Sequence, residues 1–292
     1  MVTVLSTFAG CGGSSLGYKM AGYTEILAIE WDRNAVETFK LNFPDIPIWQ
    51  KDIKEVTGEE ILKFCKIQKG ELDLLDGSPP CQGFSTAGKR QVIDPRNDLF
   101  NEFVRLIKDL QPKVFVMENV SGMVKGKMKG RFKEIILELK STGYNVKCKK
   151  LNTMWYGVPQ SRERLIFIGV REDLRIEPSY PAPQSIFIAL NTICHGIVAS
   201  RSERINPWIS AYYPCCTITK HPYKDLFKTL NGIREPSLIE LKEISSFPKE
   251  FQFANNKTKS WGLMGNSVPP KFMEAIAGYI KREILEHENR QT

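Results

Sequence analysis

No two cysteines of this chain are spaced C-x-x-C, and its seven cysteines are accompanied by only three histidines. That combination argues against a zinc site, and reduced thiols are expected. No apolar run reaches the roughly 18 residues that a bilayer span requires, and the N-terminus lacks the charged region and cleavage site of a signal peptide. A cytosolic location with no membrane partner is expected. Glycine is missing where a nicotinamide-binding turn needs it: Gly10-x-Gly12 is followed by Ser15 instead of the third glycine of G-x-G-x-x-G, which disfavours a nicotinamide dehydrogenase. Two basic stretches, Lys125, Lys127, Lys129, Arg131 and Lys133 and then Lys147, Lys149 and Lys150, lack the interleaved aromatics of a single-strand stacking platform. Taken alone they read as solvated faces.

What is present describes a globular α/β chain. A length of 292 residues with 42% hydrophobic content is enough for one large core and a small accessory lobe. A balance of 41 Lys and Arg against 33 Asp and Glu, net +8, favours a polyanionic partner. Thr3 to Phe8 read as a first strand that ends in a glycine-rich turn and enters a helix near Ser14 to Ala21. A second strand, Ile26 to Ile29, ends in Glu30-Trp31-Asp32, a carboxylate about 20 residues past the glycine turn, where it suits ribose hydroxyls. A helix from Arg33 to Asn42, a strand near Ile46 to Trp49 with Asp52 beyond it, and a helix near Gly58 to Ile67 continue the alternation.

The chain is organised around Asp76-Gly77-Ser78-Pro79-Pro80-Cys81-Gln82-Gly83-Phe84-Ser85. Leu72 to Leu75 predict a short buried strand, Gly77 a flexible corner, and the two prolines fix successive φ angles just before the cysteine. Prolines contribute no N–H donors, so the segment must leave the sheet at its carboxyl edge, where open α/β sheets bind ligands. A lone cysteine is usually a small buried hydrophobe. This one has company: Phe8-Ala9-Gly10-Cys11-Gly12-Gly13, Glu118-Asn119-Val120, Gln160-Ser161-Arg162-Glu163-Arg164 and Gly265-Asn266-Ser267-Val268-Pro269-Pro270. After it, the polar stretch Ser85 to Arg96 has the length and composition of a mobile lid. Leu99, Phe103, Leu106 or Ile107, and Leu110 predict an amphipathic helix ending before Pro112, and Lys113 to Val116 a strand that delivers Glu118 to the same edge as Cys81. A helix over Gly130 to Leu139 and strands over Asn145 to Leu151 and Arg164 to Val170 follow, with Arg162 and Arg164 projecting from one face of an extended segment. The last segment repeats Phe272, Ile276, Ile280 and Ile284, one buried face of a helix that begins at the prolines.

In sequence, order and spacing these five blocks resemble the cytosine-5 DNA methyltransferases, over residues 1 to about 180 and again from about 212 to the C-terminus. The resemblance implies a Rossmann-like methyltransferase sheet with helices on both faces plus a small irregular second lobe. It implies S-adenosyl-L-methionine as cofactor, DNA as partner and a place in restriction-modification. Carried over by position, Cys81 is the nucleophile, Glu118 the acid at cytosine N3, Arg164 a donor to the O2 side and Arg162 an orienting residue. Phe8 packs on the adenine, Glu30 holds the ribose, Trp31 flanks the adenine and Asp52 accepts from its N6 amine. Ala9, Gly10, Cys11, Gly12, Gly13, Ile53, Ser78, Pro80 and Leu99 line the same cofactor site, and Asn266, Ser267 and Val268 reach its methionine end. A core anchor is the competing role for Trp31, and a surface salt bridge for the two arginines.

The chain departs from the resembled pattern in its second half. Pro178, Pro181 and Pro183 mark a boundary, and residues 196 to 211 have no strong periodicity. Ile239 and Glu243 stand where the family often has arginine. The division expected is 1–184 for the catalytic and cofactor-binding lobe, 185–263 for a small lobe with a reduced recognition region, and 264–292 for a helix returning to the catalytic lobe. Gly196 to Ser210, with Arg201 and Arg204, leave little chain for reading base edges, so a short site or a separate recognition subunit is expected. The Cys-Phe-Thr signature of the transfer-RNA branch is not found, which disfavours RNA as substrate, and retention of Cys81, Glu118 and both arginines argues against a non-catalytic subunit.

Overall fold

The computed structural model describes residues 1–80, 98–124, 128–202, 208–221 and 225–286. Cys81, the stretch Ser85 to Arg96, Lys125, Lys127 and Arg204 lie outside the described residues. The chain alternates β1 (Thr3–Thr7), α1 (Gly13–Met20), β2 (Thr24–Glu30), α2 (Arg33–Asn42), β3 (Ile48–Gln50), α3 (Gly58–Cys65), β4 (Leu74–Gly77), α4 (Asp98–Leu110), β5 (Val114–Val120), α5 (Met128–Lys140), β6 (Tyr144–Asn152) and β7 (Glu163–Arg171). These strands form one sheet in the order β3-β2-β1-β4-β5-β7-β6. Neighbours run parallel from β3 to β5, and β7 runs antiparallel to both β5 and β6. The expected α/β class and helix-covered sheet are therefore present.

The order reverses between β1 and β4, and that is the crevice where open α/β sheets take ligands. β4 is buried throughout and β5 at every residue but its last, as central strands covered on both faces must be. Leu5, Leu75, Phe103, Leu106, Phe115 and Phe167 fill one face of the sheet. Val4, Leu74, Val116, Phe272, Ile276, Ile280 and Ile284 fill the other. The last four of these are the predicted stripe of α9 (Pro270–Ile280) and its continuation through a wider turn, Lys281–Leu285, and each is 0% exposed. α9 presses on α1 so closely that a Cβ on Gly17 would meet Pro270 O and Met273 Cβ at 2.6 Å. The C-terminal helix is thus locked to the helix that follows the first glycine turn.

The predicted strand at residues 72–75 is displaced: β4 runs from Leu74 to Gly77. Gly77 is the end of that strand and not a corner, and space is what requires glycine there. A Cβ would lie 2.4 Å from Phe103 Cε2 and 2.7 Å from Thr7 Oγ1. Side-chain caps fix the helix starts. Asp32 accepts from the backbone of Asn34 and Ala35 at α2, and Thr57 and Glu60 form a capping box at α3.

The second half is more regular than its weak periodicity foretold. After a short turn of helix, α6 (Leu190–Ile193), come β8 (Ile197–Ser202), β9 (Ile209–Ser210), β10 (Asp225–Thr229) and β11 (Gly232–Arg234). They make a small antiparallel sheet in the order β11-β10-β8-β9. α7 (Leu238–Ile244) and α8 (Lys257–Asn266) follow. Leu241, Ile244, Phe247, Phe251 and Trp261 join Phe227 of β10 and Phe39 and Phe43 of α2 in a third core. Among the described residues no helix is long and apolar enough to cross a membrane.

Candidate active site

The first strand ends at Thr7, and the next residue, Phe8, takes φ 55°, a conformation that a bulky side chain rarely adopts. Such strain concentrates where the surrounding structure imposes it for function. Gly10 and Gly12 also have positive φ, at 56° and 93°, and the turn they make is held by a carboxylate. Glu30 Oε2 accepts from Gly10 N at 2.7 Å, while Oε1 accepts from Trp31 N at 2.9 Å and Asp32 N at 2.8 Å. Burial raises the pKa of Glu30, and the three backbone donors pull it back down. With both lone-pair directions of Oε1 engaged, Oε2 retains acceptor capacity for a further donor.

Around this turn the surface is open. Among the described residues, a Cβ on Gly10 would meet nothing within 4 Å. Trp31 is 72% exposed, so the core-anchor role does not hold for it. Asp52 is exposed and uses Oδ1 to cap the turn at Ile53–Glu55, accepting from Lys54 N at 3.0 Å. Ile53 is buried behind it, and Leu99 packs half-buried on the same core. On the far side of the turn, Cys11 Sγ lies 3.1 Å from Ser267 Oγ, whose own hydrogen goes to Leu263 O at 2.7 Å, so the thiol is the donor. Burial pushes the Cys11 thiol up to about 12, which leaves it an inert packing group. A Cβ on Gly13 would meet Val268 O at 2.4 Å, so the stretch carrying Ser267 and Val268 lies against the glycine turn. Ala9 and Val268 are buried, whereas Asn266 at the end of α8 is exposed.

From β4 the chain passes through Ser78 and Pro80, both half-buried, toward Cys81. Asn119 Nδ2 donates to Pro79 O at 3.1 Å. The residue after Glu118 thereby ties the end of β5 to the proline segment, a role its place in Glu118-Asn119-Val120 did not reveal. Glu118 is 9% exposed and pairs with Arg164, Nε to Oε1 2.6 Å, across the antiparallel β5–β7 pairing. This is not a surface salt bridge, since the two side chains are 13% and 11% exposed.

Arg162 does something different from Arg164. It is 2% exposed, and its Nη1 donates to Ile218 O at 3.2 Å and Gly265 O at 2.9 Å, while Nε has no hydrogen-bond partner among the described residues. Burial lowers its pKa, with the Arg164 charge adding to this and Glu118 opposing it. Its cation thus clamps the end of the β6–β7 connection to α8 and to the chain just before β10. Gln160, which carried no assigned role, works beside it. It is 1% exposed, Oε1 accepts from Ile218 N at 3.2 Å, and Nε2 donates to Ile244 O at 3.5 Å.

The basic residues on β6 are engaged locally: Lys147 pairs with Glu177 at 2.9 Å, Lys150 with Glu163 at 2.7 Å, and Lys149 lies over the Tyr180 ring at 5.8 Å. Arg201 lies over the Trp208 ring at 5.1 Å. Among the described residues no group of three or more His, Cys, Asp or Glu is placed to hold a metal ion.

Two carboxyls buried near the site set a pH dependence of stability. Burial pushes Asp76 up to about 8 and Glu25 up to about 7, from ordinary values of 3.8 and 4.5. The folded protein keeps protons that the unfolded chain releases, so this contribution to stability is whole below about pH 4 and is lost as pH rises through 7 to 8. Asp76→Asn and Glu25→Gln are expected to gain melting temperature relative to the parent as buffers go from about pH 5 to about pH 8. Thermal unfolding across that series checks it, and a constant difference contradicts it.

A sheet with a reversed β7 near one end, and a turn-and-carboxylate cradle at its switch point, belongs to the Rossmann-like methyltransferase class. Within that class, the C-5 cytosine-specific DNA methylase family matches residues 2–210 and 199–282, and the chain belongs to that family. The type II methyltransferase M1.HphI of Haemophilus parahaemolyticus is 32% identical over 323 residues, 94% of this chain and 86% of that protein. M.NgoPII of Neisseria gonorrhoeae is 36% identical over 334 residues, 96% of each. M.DdeI of Desulfomicrobium norvegicum is 44% identical over 187 residues, 63% of this chain and 44% of that protein. The fold superposes on a crystal structure of a protein encoded within an E. coli prophage, TM-score 0.79 and 25% identity, covering 98% of this chain and 100% of that one. Spodoptera frugiperda DNMT2 shares the fold, TM-score 0.72 at 21% identity, over 94% of this chain and 98% of that one.

Proposed function

We propose that this member of the cytosine-5 DNA methylase family methylates C5 of a flipped-out cytosine through a covalent bond between Cys81 and C6, with S-adenosyl-L-methionine as donor. The observation that carries the reading is the shared edge. The glycine turn after β1, the proline segment after β4 and the Glu118–Arg164 pair at the end of β5 meet at one end of the sheet. The cofactor fits the residues present. The open cradle at Gly10, the exposed Trp31 and the remaining acceptor capacity of Glu30 Oε2 suit a ribose and adenine. Phe8, Ala9, Gly10, Cys11, Gly12, Gly13, Glu30, Trp31, Asp52, Ile53, Ser78, Pro80, Leu99, Asn266, Ser267 and Val268 would hold it, and when bound it supplies an electrophilic methyl group.

Cytosine C5 is a poor nucleophile on its own. The Cys81 thiolate adds to C6, the C5–C6 double-bond electrons move toward C5, and Glu118 gives a proton to N3 as charge builds on the ring. Arg164 keeps the Glu118 carboxyl in place and donates to the O2 side; Arg162 fixes the strand that carries Arg164. Once C5 is methylated a base removes the C5 proton, the double bond re-forms, the thiolate leaves and N3 returns its proton to Glu118. The base is flipped out because attack at C6 comes perpendicular to the ring, where stacking blocks it.

The second proposal concerns selectivity. The alignment with M.NgoPII runs over 334 positions, more than the 292 residues of this chain, so that relative has residues with no counterpart here. We assign the shortfall to the recognition region inside residues 185–263, between the catalytic lobe (1–184) and the returning helix (264–292). A chain so reduced reads a very short site, or leaves recognition to a partner subunit. Incubating the purified chain with DNA and sequencing the methylated cytosines tests both proposals. Methylation at C5 with no discrimination beyond about two base pairs is expected, along with a steep salt dependence from phosphate contacts. Robust methylation confined to one site of four to six base pairs sinks the reduced-recognition reading, and no methyl transfer at all sinks the first.

A further inference from the structure

The small antiparallel sheet has one face packed and one face open. Cross-strand register sets Phe227 opposite Ser200 and Ser200 opposite Ile209, on the face that closes over the third core. Alternation along the strands then sends Arg201 with its partner Leu226, Lys228 with its partner Ile233, and Ser210 to the other face. Lys228 and Ser210 are exposed there, Ile233 is 61% exposed, and Arg201 and Leu226 are half-buried.

The charge on this face has one sign. The lobe's described carboxylates are placed elsewhere: Asp225 accepts from Thr219 N on the packed side, Glu235 pairs with Lys257, Glu240 with Arg234 and Glu243 with Lys249. Glu250 lines a crevice with Leu16 and Lys19 of α1. Arg201 also differs from Arg234, whose two Nη atoms bind Glu240 at 2.8 and 2.7 Å. The Arg201 guanidinium lies 5.1 Å from the centroid of the Trp208 ring and makes no ion pair or side-chain hydrogen bond among the described residues. An arginine held on an aromatic face has given up part of its rotamer freedom in advance, and its fork of N–H donors stays available.

The end of the sheet that carries Arg201 is tied to the catalytic edge. Next to it, Ser202 pairs with Asp225, whose Oδ2 accepts from Thr219 N at 2.9 Å. Thr219 O lies 2.3 Å from where a Cβ on Gly265 would stand, and the Gly265 carbonyl is one that Arg162 clamps. On the other side of Arg201, Ser200 Oγ accepts from Cys216 N at 3.5 Å, beside the bridge between Cys215 and Gln160. Both ties lead to the connection that carries Arg162 and Arg164.

We propose that the open face of the small sheet lies on the duplex and that Arg201, braced by Trp208, is the specificity-determining residue of this chain. It donates two hydrogen bonds, to O6 and N7 of one guanine in the major groove, within two base pairs of the target cytosine. A forked arginine is suited to that pair of acceptors, whereas Lys228 on the same face is a point charge that meets phosphate and adds affinity without sequence. The inference deepens the selectivity reading above and rests on it only in expecting a very short site.

Sequencing the methylated cytosines of random-sequence DNA treated with the purified chain tests this. The parent is expected to prefer guanine at one flanking position by roughly tenfold or more. Arg201→Ala should abolish that preference, and Arg201→Lys, which keeps the charge without the fork, should lose most of it. Trp208→Ala should weaken it. Lys228→Ala should lower affinity equally on all sequences and reduce the salt slope by about one, with the preference intact. A parent without a guanine preference, or an Arg201→Ala context that matches the parent's, overturns the inference, since Arg201 is then at most a phosphate contact. If Arg201→Ala does not fold, Arg201→Lys decides on the same terms. A parent confined to a site of four to six base pairs ends the reduced-recognition reading alone, and the Arg201→Ala context still decides the role of Arg201. If the parent transfers no methyl group, the methylation reading fails, and duplexes selected from the same pool by binding to parent and variant decide the inference separately.

Discussion

Cys81→Ser is expected to retain S-adenosyl-L-methionine binding and lose methyl transfer by roughly three orders of magnitude or more, because a serine hydroxyl is a far weaker nucleophile at neutral pH. Binding is retained because the turn at Phe8–Gly13, the carboxylate of Glu30 and the Ser267–Val268 contact come from β1, β2 and the connection between α8 and α9. Transfer of a labelled methyl group to DNA measures the loss, and calorimetry the binding. DNA containing 5-fluorocytosine gives an independent check. Its C5 substituent cannot leave as a proton, so the parent should remain attached on a denaturing gel and the serine variant should not. A serine variant that turns over near the parent rate would falsify the covalent mechanism.

Glu30→Ala should be the most damaging change in the cofactor cradle. Glu30 has two tasks: it holds the backbone N–H groups of Gly10, Trp31 and Asp32, and it is proposed to hold the ribose. Hydrogen bonds to a charged group contribute about 1.5–3 kcal/mol each, so removing even one contact to the ribose lowers cofactor affinity by roughly tenfold to a hundredfold. The three backbone donors lose their acceptor as well, and the melting temperature should fall with the affinity. Glu30→Gln keeps one acceptor oxygen for the turn and should recover part of the stability while still binding weakly. Unchanged affinity in a folded Glu30→Ala protein rejects the ribose assignment. Asp52→Ala should weaken binding less, since Asp52 is exposed and its structural task is a single local cap.

Much of this was legible in the chain because it is locally encoded. Helix α2 falls on Arg33–Asn42 as predicted, since Asp32 caps it and its apolar spacing is helical. The stripe of Phe272, Ile276, Ile280 and Ile284 could only be the buried side of a helix. The ordered blocks with Cys81, Glu118 and Arg162 to Arg164 pointed to the family because their order and spacing are linear properties of the chain. The strands of the small sheet escaped notice because they are two to six residues long, too short for alternation to stand out.

Tertiary structure decided what each polar group is occupied with, since that depends on neighbours distant in sequence. Arg162 and Arg164 are two residues apart and look equivalent. One is sealed against the carbonyls of Ile218 and Gly265, and the other faces Glu118. Asn119 and Gln160 gained roles only when Pro79, Ile218 and Ile244 came within reach of them. Asp76 reads in sequence as the first residue of the turn after a strand at Leu72 to Leu75, whereas the structure places it inside β4. Only the packing of α1 over β1, β2 and β4 surrounds it with Tyr18, Glu25 and Glu118 and cuts it off from water, and that seclusion makes it hold its proton.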